Sequence, residues 1–128
     1  IVSARRNTQS EYVRQHLVQN VRVRSNGESA FAYFTQKIKN DALYLLDEPE
    51  NSLSVQLQKQ LATFLQDSAR FYGCQLVIAT HSPFILAMRG AKIYDLDADP
   101  VDVKPWTELK NVREWYEIFK ENSDKFKD

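Results

Sequence analysis

The chain has 128 residues, with Lys plus Arg and Asp plus Glu equal at 17 each, so its formal net charge is zero. That length suits one domain with its own core, and the balanced charge removes any global electrostatic case for nucleic acid, membrane or acidic substrate. No apolar run approaches the roughly 18 to 20 residues of a membrane-spanning helix, and the single Cys74 has no partner for a disulfide within the chain, which suits a reducing, cytoplasmic setting.

Charge is uneven locally. Arg5, Arg6, Arg14, Arg22 and Arg24 face only Glu11 in residues 1–24, whereas Asp41, Asp47, Glu48 and Glu50 follow one another with no base between them. The N-terminus also lacks the charged-then-apolar order of a signal peptide, and a first residue of Ile rather than Met suggests a fragment or a processed chain.

Residues 9–19 read as a short helix with Tyr12, Val13, His16 and Leu17 on one side, and Val21-Arg22-Val23-Arg24 as a short alternating strand. Ser25-Asn26-Gly27-Glu28-Ser29 is a turn cluster feeding a helix in which Phe31, Phe34 and Ile38 recur at helical spacing. Ala42 to Leu46 is a continuous apolar strand. Unbroken runs of this kind are usual where helices cover both faces of a parallel sheet, so the spacing predicts an internal strand.

The clearest helix runs from Ser54 to Tyr72, with Leu57, Leu61, Phe64, Leu65 and Ala69 on one stripe and Gly73 as its stop. Gln75 to Ala79 is a second apolar strand. Ser82 and Pro83 open a short helix to Met88, and Lys92 to Leu96 is a third strand, so the order predicts an α/β domain with a mainly parallel sheet. Beyond Asp97, Asp99 and Pro100 the pattern offers an edge strand at Val101 and Val103. A helix from Trp106 to Asn122 follows, with Trp115, Ile118 and Phe119 expected to pack back onto the domain. The organisation expected is one domain over 1–128: a basic entry segment (1–24), an α/β core (25–97) and a terminal extension (98–128).

Chemistry concentrates at the strand ends. Leu43-Tyr44-Leu45-Leu46 delivers Asp47 and Glu48 to a surface, and Leu76-Val77-Ile78-Ala79-Thr80 delivers His81. In an open parallel sheet, ligands bind outside the carboxyl ends of the strands, so these three residues should converge. An Asp in that place can hold a hydrated Mg²⁺, and an adjacent Glu can polarise water for in-line attack on a γ-phosphate. Either strand end taken alone also suits an ordinary turn before Pro49 and a polar residue capping a helix.

Leu45-Leu46-Asp47-Glu48-Pro49-Glu50-Asn51-Ser52-Leu53-Ser54 resembles the Walker B motif and D-loop of ABC-type ATPases, and Ala79-Thr80-His81-Ser82-Pro83 resembles their switch-histidine loop. Ser25 to Ser29, ahead of Asp47, is similar to their signature loop. The resemblance is nearest to soluble members of the P-loop NTPase class, the SMC, RecF and OLD relatives and small AAA-type ATPases of bacteria. It implies ATP binding and Mg²⁺-dependent ATP hydrolysis, with Asp47 holding Mg²⁺ through water, Glu48 as general base and His81 on the γ-phosphate. It also implies that Ser25, Asn26, Gly27, Glu28 and Ser29 contact ATP bound by a second subunit, with Asn51, Ser52 and Ser54 as the D-loop of a nucleotide-sandwich homodimer.

Three departures qualify the resemblance. No G-x-x-x-x-G-K-[ST] loop can be assembled from Gly27, Gly73 and Gly90, which points to a C-terminal half whose N-terminal half carries the Walker A loop, the fragment alone being inactive. Arg24 and Glu28 stand where transporter signature loops usually have Leu and Gly, and Ser54 where an Asp often ends the D-loop. These argue against a transporter subunit and against a membrane partner. The alternative is a non-hydrolysing module of the same fold that binds DNA or an operon-encoded effector protein.

Other residues offer less. His16 has no Cys or second His nearby and reads as a partly buried polar residue rather than a metal ligand. The N-terminal arginines suit either a solvated face or a phosphate contact. Trp106, Trp115 and Tyr116 suit a packed terminal helix better than a stacking platform.

Overall fold

The computed structural model describes residues 26–127. The expected helix at 9–19, the strand at Val21–Arg24, His16, the five arginines and Ser25 lie outside the described residues. Two compact units divide at Met88 and Arg89.

The first unit begins with helix α1 (Asn26–Lys37), followed by strand β1 (Leu43–Asp47), helix α2 (Val55–Phe71), strand β2 (Gln75–Ala79) and the short helix α3 (Pro83–Leu86). β1 and β2 pair in parallel, with Leu45 opposite Val77 and Asp47 opposite Ala79, so the two strands end level with each other. A parallel pair needs a long crossover, and α2 supplies it.

α2 forms where the 3.6-residue stripe predicts it. Ser54 adopts an extended backbone and its hydroxyl accepts from the amide of Leu57 at 3.2 Å, satisfying one of the donors that a helix start leaves open. At the far end Gly73 has φ +69°, a conformation in which any other residue would be strained, and a Cβ there would also displace the Asp41 side chain. The exit of α1 is held by Tyr44, whose hydroxyl accepts from the amide of Lys39 at 2.7 Å. The Cys74 thiol donates to the Lys39 carbonyl at 2.9 Å, so the lone cysteine is a buried packing residue.

The core lies on one face of the β1–β2 pair. Tyr44 and Leu46 from β1 meet Phe34 and Ile38 from the α1 side, Leu61 and Leu65 from α2, and Ile85 from α3. Leu61 and Leu65 have no exposed surface. The opposite face is a departure from the internal strand predicted by the unbroken apolar run. Leu43, Leu45 and Val77 are 56%, 47% and 55% exposed, because among the described residues helices pack against one face only.

α1 also starts earlier than the turn cluster suggests. Asn26 to Ser29 are already helical, since Gly27 packs tightly enough against the Ser52 carbonyl to hold the first turn.

The second unit corrects the third-strand expectation. Residues 92–96 do not extend the parallel sheet: β3 (Tyr94–Asp95) pairs antiparallel with β4 (Asp102–Val103) in a separate two-stranded sheet. The short span between them turns back too soon for a parallel crossover. Lys104 and Asp95 form a 2.8 Å ion pair beside it. A 3₁₀ turn (Trp106–Glu108) leads into helix α4 (Lys110–Glu121). Trp115, Ile118 and Phe119, expected to pack inward, are 51%, 58% and 56% exposed, and within this unit the Phe119 ring meets that of Phe126 edge-on at 5.9 Å.

Candidate active site

Asp47 closes β1 on the same strand face as Leu43 and Leu45, with an exposed carboxylate that makes no hydrogen bond or ion pair among the described residues. The backbone then reverses sharply. Glu48 takes φ +46° and Ser52 φ +67°, conformations that cost a non-glycine residue about 1–2 kcal/mol each. The turn is held by a ladder of backbone bonds. The amide of Glu48 donates to the Ala79 carbonyl at 2.8 Å, that of Asn51 to the Glu48 carbonyl at 3.1 Å and that of Leu53 to the Glu50 carbonyl at 2.9 Å. Buried Pro49 anchors the turn, so the acid groups are presented by a strained, rigid bend.

That bend brings Glu48 to His81. Glu48 Oε1 lies 3.5 Å from His81 Nε2, with the two side chains 44% and 72% exposed, and Glu48 Oε2 accepts from the Asn51 side-chain amide at 3.3 Å. The three residues expected to converge thus stand at the carboxyl ends of two adjacent parallel strands, and Asn51 of the expected D-loop reaches back onto the expected base.

Glu50 is the residue that sequence reasoning missed. Its Oε1 accepts from the Thr80 hydroxyl at 2.7 Å and its Oε2 from the His81 amide at 2.8 Å. Thr80 Oγ1 in turn accepts from the amide of Ser82, and the Ser82 hydroxyl donates to Gln58 Oε1 on α2 at 2.8 Å. Only its place in the acidic run around Asp47 marked Glu50 in the sequence, and nothing local to it shows the partners.

Asn26, Gly27 and Glu28 from the start of α1 line a cleft of about 630 Å³ together with Ser52, Ser54 and Leu57. The signature-like and D-loop-like segments are therefore neighbours within one chain. Ser29 does not line the cleft. It is 1% exposed, and its hydroxyl has no hydrogen-bond partner among the described residues.

No group of three or more His, Cys, Asp or Glu side chains able to hold a metal occurs among the described residues. The exposed carboxylate of Asp47 fits Mg²⁺, which keeps several waters and binds through one or two carboxylates together with substrate phosphates. It does not fit a cation that needs a full protein cage.

The family model "AAA domain, putative AbiEii toxin, Type IV TA system" matches residues 11–87, which include β1, α2, β2 and every residue of the Glu48–His81 cluster. The chain belongs to this AAA-domain family. Its fold is of the P-loop NTPase class. Among solved structures, this AAA domain is similar to one reported in work on the structural biochemistry of ATP-driven dimerization and DNA-stimulated activation of SMC ATPases. The TM-score is 0.50 at 19% identity over 84% of this chain, a likeness of fold, and the match spans 66% of that SMC ATPase chain. Among curated proteins none matches. No helix of the described residues is long and apolar enough to cross a membrane.

Proposed function

We propose that this AAA domain is the catalytic C-terminal part of an ATPase that hydrolyses ATP with Mg²⁺ as a nucleotide-sandwich dimer. The observation that carries the reading is the 3.5 Å approach of Glu48 to His81 at the ends of two parallel strands, with the exposed Asp47 next to Glu48 in the chain.

Mg²⁺, held by Asp47 through water, would supply charge neutralisation for the γ-phosphate. Glu48 takes the proton of the attacking water at its carboxylate, while Asn51 restrains the Oε2 side so that the carboxylate keeps one orientation. His81 presents Nε2 to the same space and donates to the γ-phosphate. Asn26, Gly27 and Glu28, with Ser25 before them, meet the nucleotide of the second subunit, and Asn51, Ser52 and Ser54 lie along that dimer contact.

Among the described residues the second face of the β1–β2 pair is uncovered, which supports a covering segment from outside them. Leu43, Leu45 and Val77 form an exposed apolar strip that ends at Asp47, so a segment covering the strip also reaches the metal-holding carboxylate. A Walker A loop with its following helix, supplied by an N-terminal half, answers both needs. The SMC ATPase likeness, from work on ATP-driven dimerization and DNA-stimulated activation, is consistent with a dimer and with DNA as an effector.

The test is Glu48→Gln in the full-length protein. Gln keeps the shape but takes no proton, so ATP turnover should fall about 10²-fold or more while ATP binding persists. Unchanged turnover removes the reading.

A further inference from the structure

We infer that Glu50 is a positioning residue for His81, clamping the histidine loop to the acidic bend so that His81 and Glu48 act as one preset unit. The inference rests on the ATPase reading and concerns a residue to which that reading assigns no task.

Four observations carry it. Glu50 uses both carboxylate oxygens, one on the Thr80 hydroxyl at 2.7 Å and one on the His81 amide at 2.8 Å, across 30 and 31 residues of chain. Both bonds are short, and hydrogen bonds to an ionised acceptor are about twice as strong as neutral ones. Second, the side chain of His81 is 72% exposed, and among the described residues its one polar approach is the 3.5 Å one to Glu48, so little burial fixes the ring. Its placement depends on the backbone from which it projects. Third, that backbone is gripped from both sides, since Thr80 Oγ1 also accepts from the Ser82 amide at 3.0 Å and the Ser82 hydroxyl donates to Gln58 on α2. Fourth, Glu50 sits two residues beyond Glu48 in the same strained turn, so the residue that sets His81 is rigidly connected to the base itself.

A carboxylate engaged in this way does no chemistry on the nucleotide. It fixes the distance between the two loops. Catalytic groups displaced by about 1 Å from their working positions lose up to about 10²-fold in rate, so a clamp of this kind is expected to influence kcat rather than nucleotide affinity.

The decisive comparison is Glu50→Ala against Glu50→Gln in the full-length ATPase. Gln reproduces the clamp without charge, its Oε1 accepting from the His81 amide and its amide group donating to Thr80 Oγ1. Expected results are a kcat about tenfold or more below wild type for Glu50→Ala, KM for ATP within about twofold, and recovery to within about threefold of wild type for Glu50→Gln. Glu50→Ala should also add nothing to His81→Ala in the double variant, because both remove the same aligned imidazole. Glu50→Ala at wild-type kcat, Glu50→Gln as impaired as Glu50→Ala, or full additivity with His81→Ala each overturns the assignment. Should Glu50→Ala fail to fold, Thr80→Val opens one arm of the clamp and takes its place, with a severalfold lower kcat and the same non-additivity expected. Glu48→Gln measured alongside separates the two levels. If it leaves turnover intact the ATPase reading falls, and if it abolishes turnover while the Glu50 variants behave as wild type, only the positioning role falls.

Discussion

The place that a Cβ on Gly27 would occupy lies 2.5 Å from the carbonyl oxygen of Ser52. The start of α1 and the turn that follows Glu50 are therefore in backbone contact, and a glycine is required there by close approach rather than by its φ angle. In the proposed dimer these two segments serve different nucleotides, so one contact couples the presentation of both.

Gly27→Ala should accordingly disturb more than helix propensity. Alanine is about 1 kcal/mol better than glycine in a helix interior, but overpacking against a backbone carbonyl typically costs about 1–3 kcal/mol. Because the carbonyl belongs to a turn with two left-handed residues, relief requires the turn to move. Urea denaturation should show a net loss of up to about 2 kcal/mol. A variant as stable as wild type would show that the turn yields freely.

Asn51 is expected to affect rate and not fold. Its side-chain amide holds Glu48 Oε2 at 3.3 Å on an exposed surface, an interaction of about 1 kcal/mol at most. Asn51→Ala in the full-length protein should lower kcat about fivefold with the melting temperature unchanged. Steady-state turnover with a parallel melting curve checks both halves of this statement.

Ser54 gives a stability prediction independent of function. Its hydroxyl caps α2 through the Leu57 amide, and replacing such a cap by alanine costs typically about 1 kcal/mol. Ser54→Ala should be destabilised by that amount and Ser54→Asp should not, since aspartate caps as well and opposes the positive helix end. Equal losses for both would assign the residue to something other than the cap.

The second unit provides a pH test. The Lys104 ammonium, hydrogen-bonded to Asp95, holds the Asp95 carboxyl below the usual carboxylate range, and Asp95 in turn raises Lys104 above the usual lysine range. A lowered acid contributes stability that is complete above its unfolded pKa, about 4 for aspartate, and is lost as pH falls through the lower folded value. The raised lysine contributes below its unfolded pKa and loses that contribution as pH rises through its folded value. The stability difference between wild type and Asp95→Asn should therefore be flat at neutral pH and close both below about pH 4 and at strongly alkaline pH. Melting temperatures of the two proteins across that range measure it.

Much of the first unit was legible because its signals are local. A 3.6-residue stripe from Leu57 to Ala69, a serine before it and a glycine after it specify α2, whatever surrounds it. The level strand ends at Asp47 and Ala79 follow from equal apolar runs. The run Leu43 to Leu46 was less transparent, since an unbroken apolar strand has the same spelling whether its second face is covered or bare. The stripe of α4 has the same ambiguity: spacing defines a face, but nothing in spacing says that anything lies against it.

The sequence by itself determined which residues stand at the strand ends, and so named Asp47, Glu48 and His81, because alternation and chain order are properties of neighbouring residues. Tertiary structure alone decided how they are held: the left-handed turn at Glu48, the approach of Gly27 to Ser52, and the two bonds from Glu50 to Thr80 and His81. The last three contacts join residues far apart in the chain, and a carboxylate has no preference among distant donors until the packing of α2 against the paired strands brings one of them within reach.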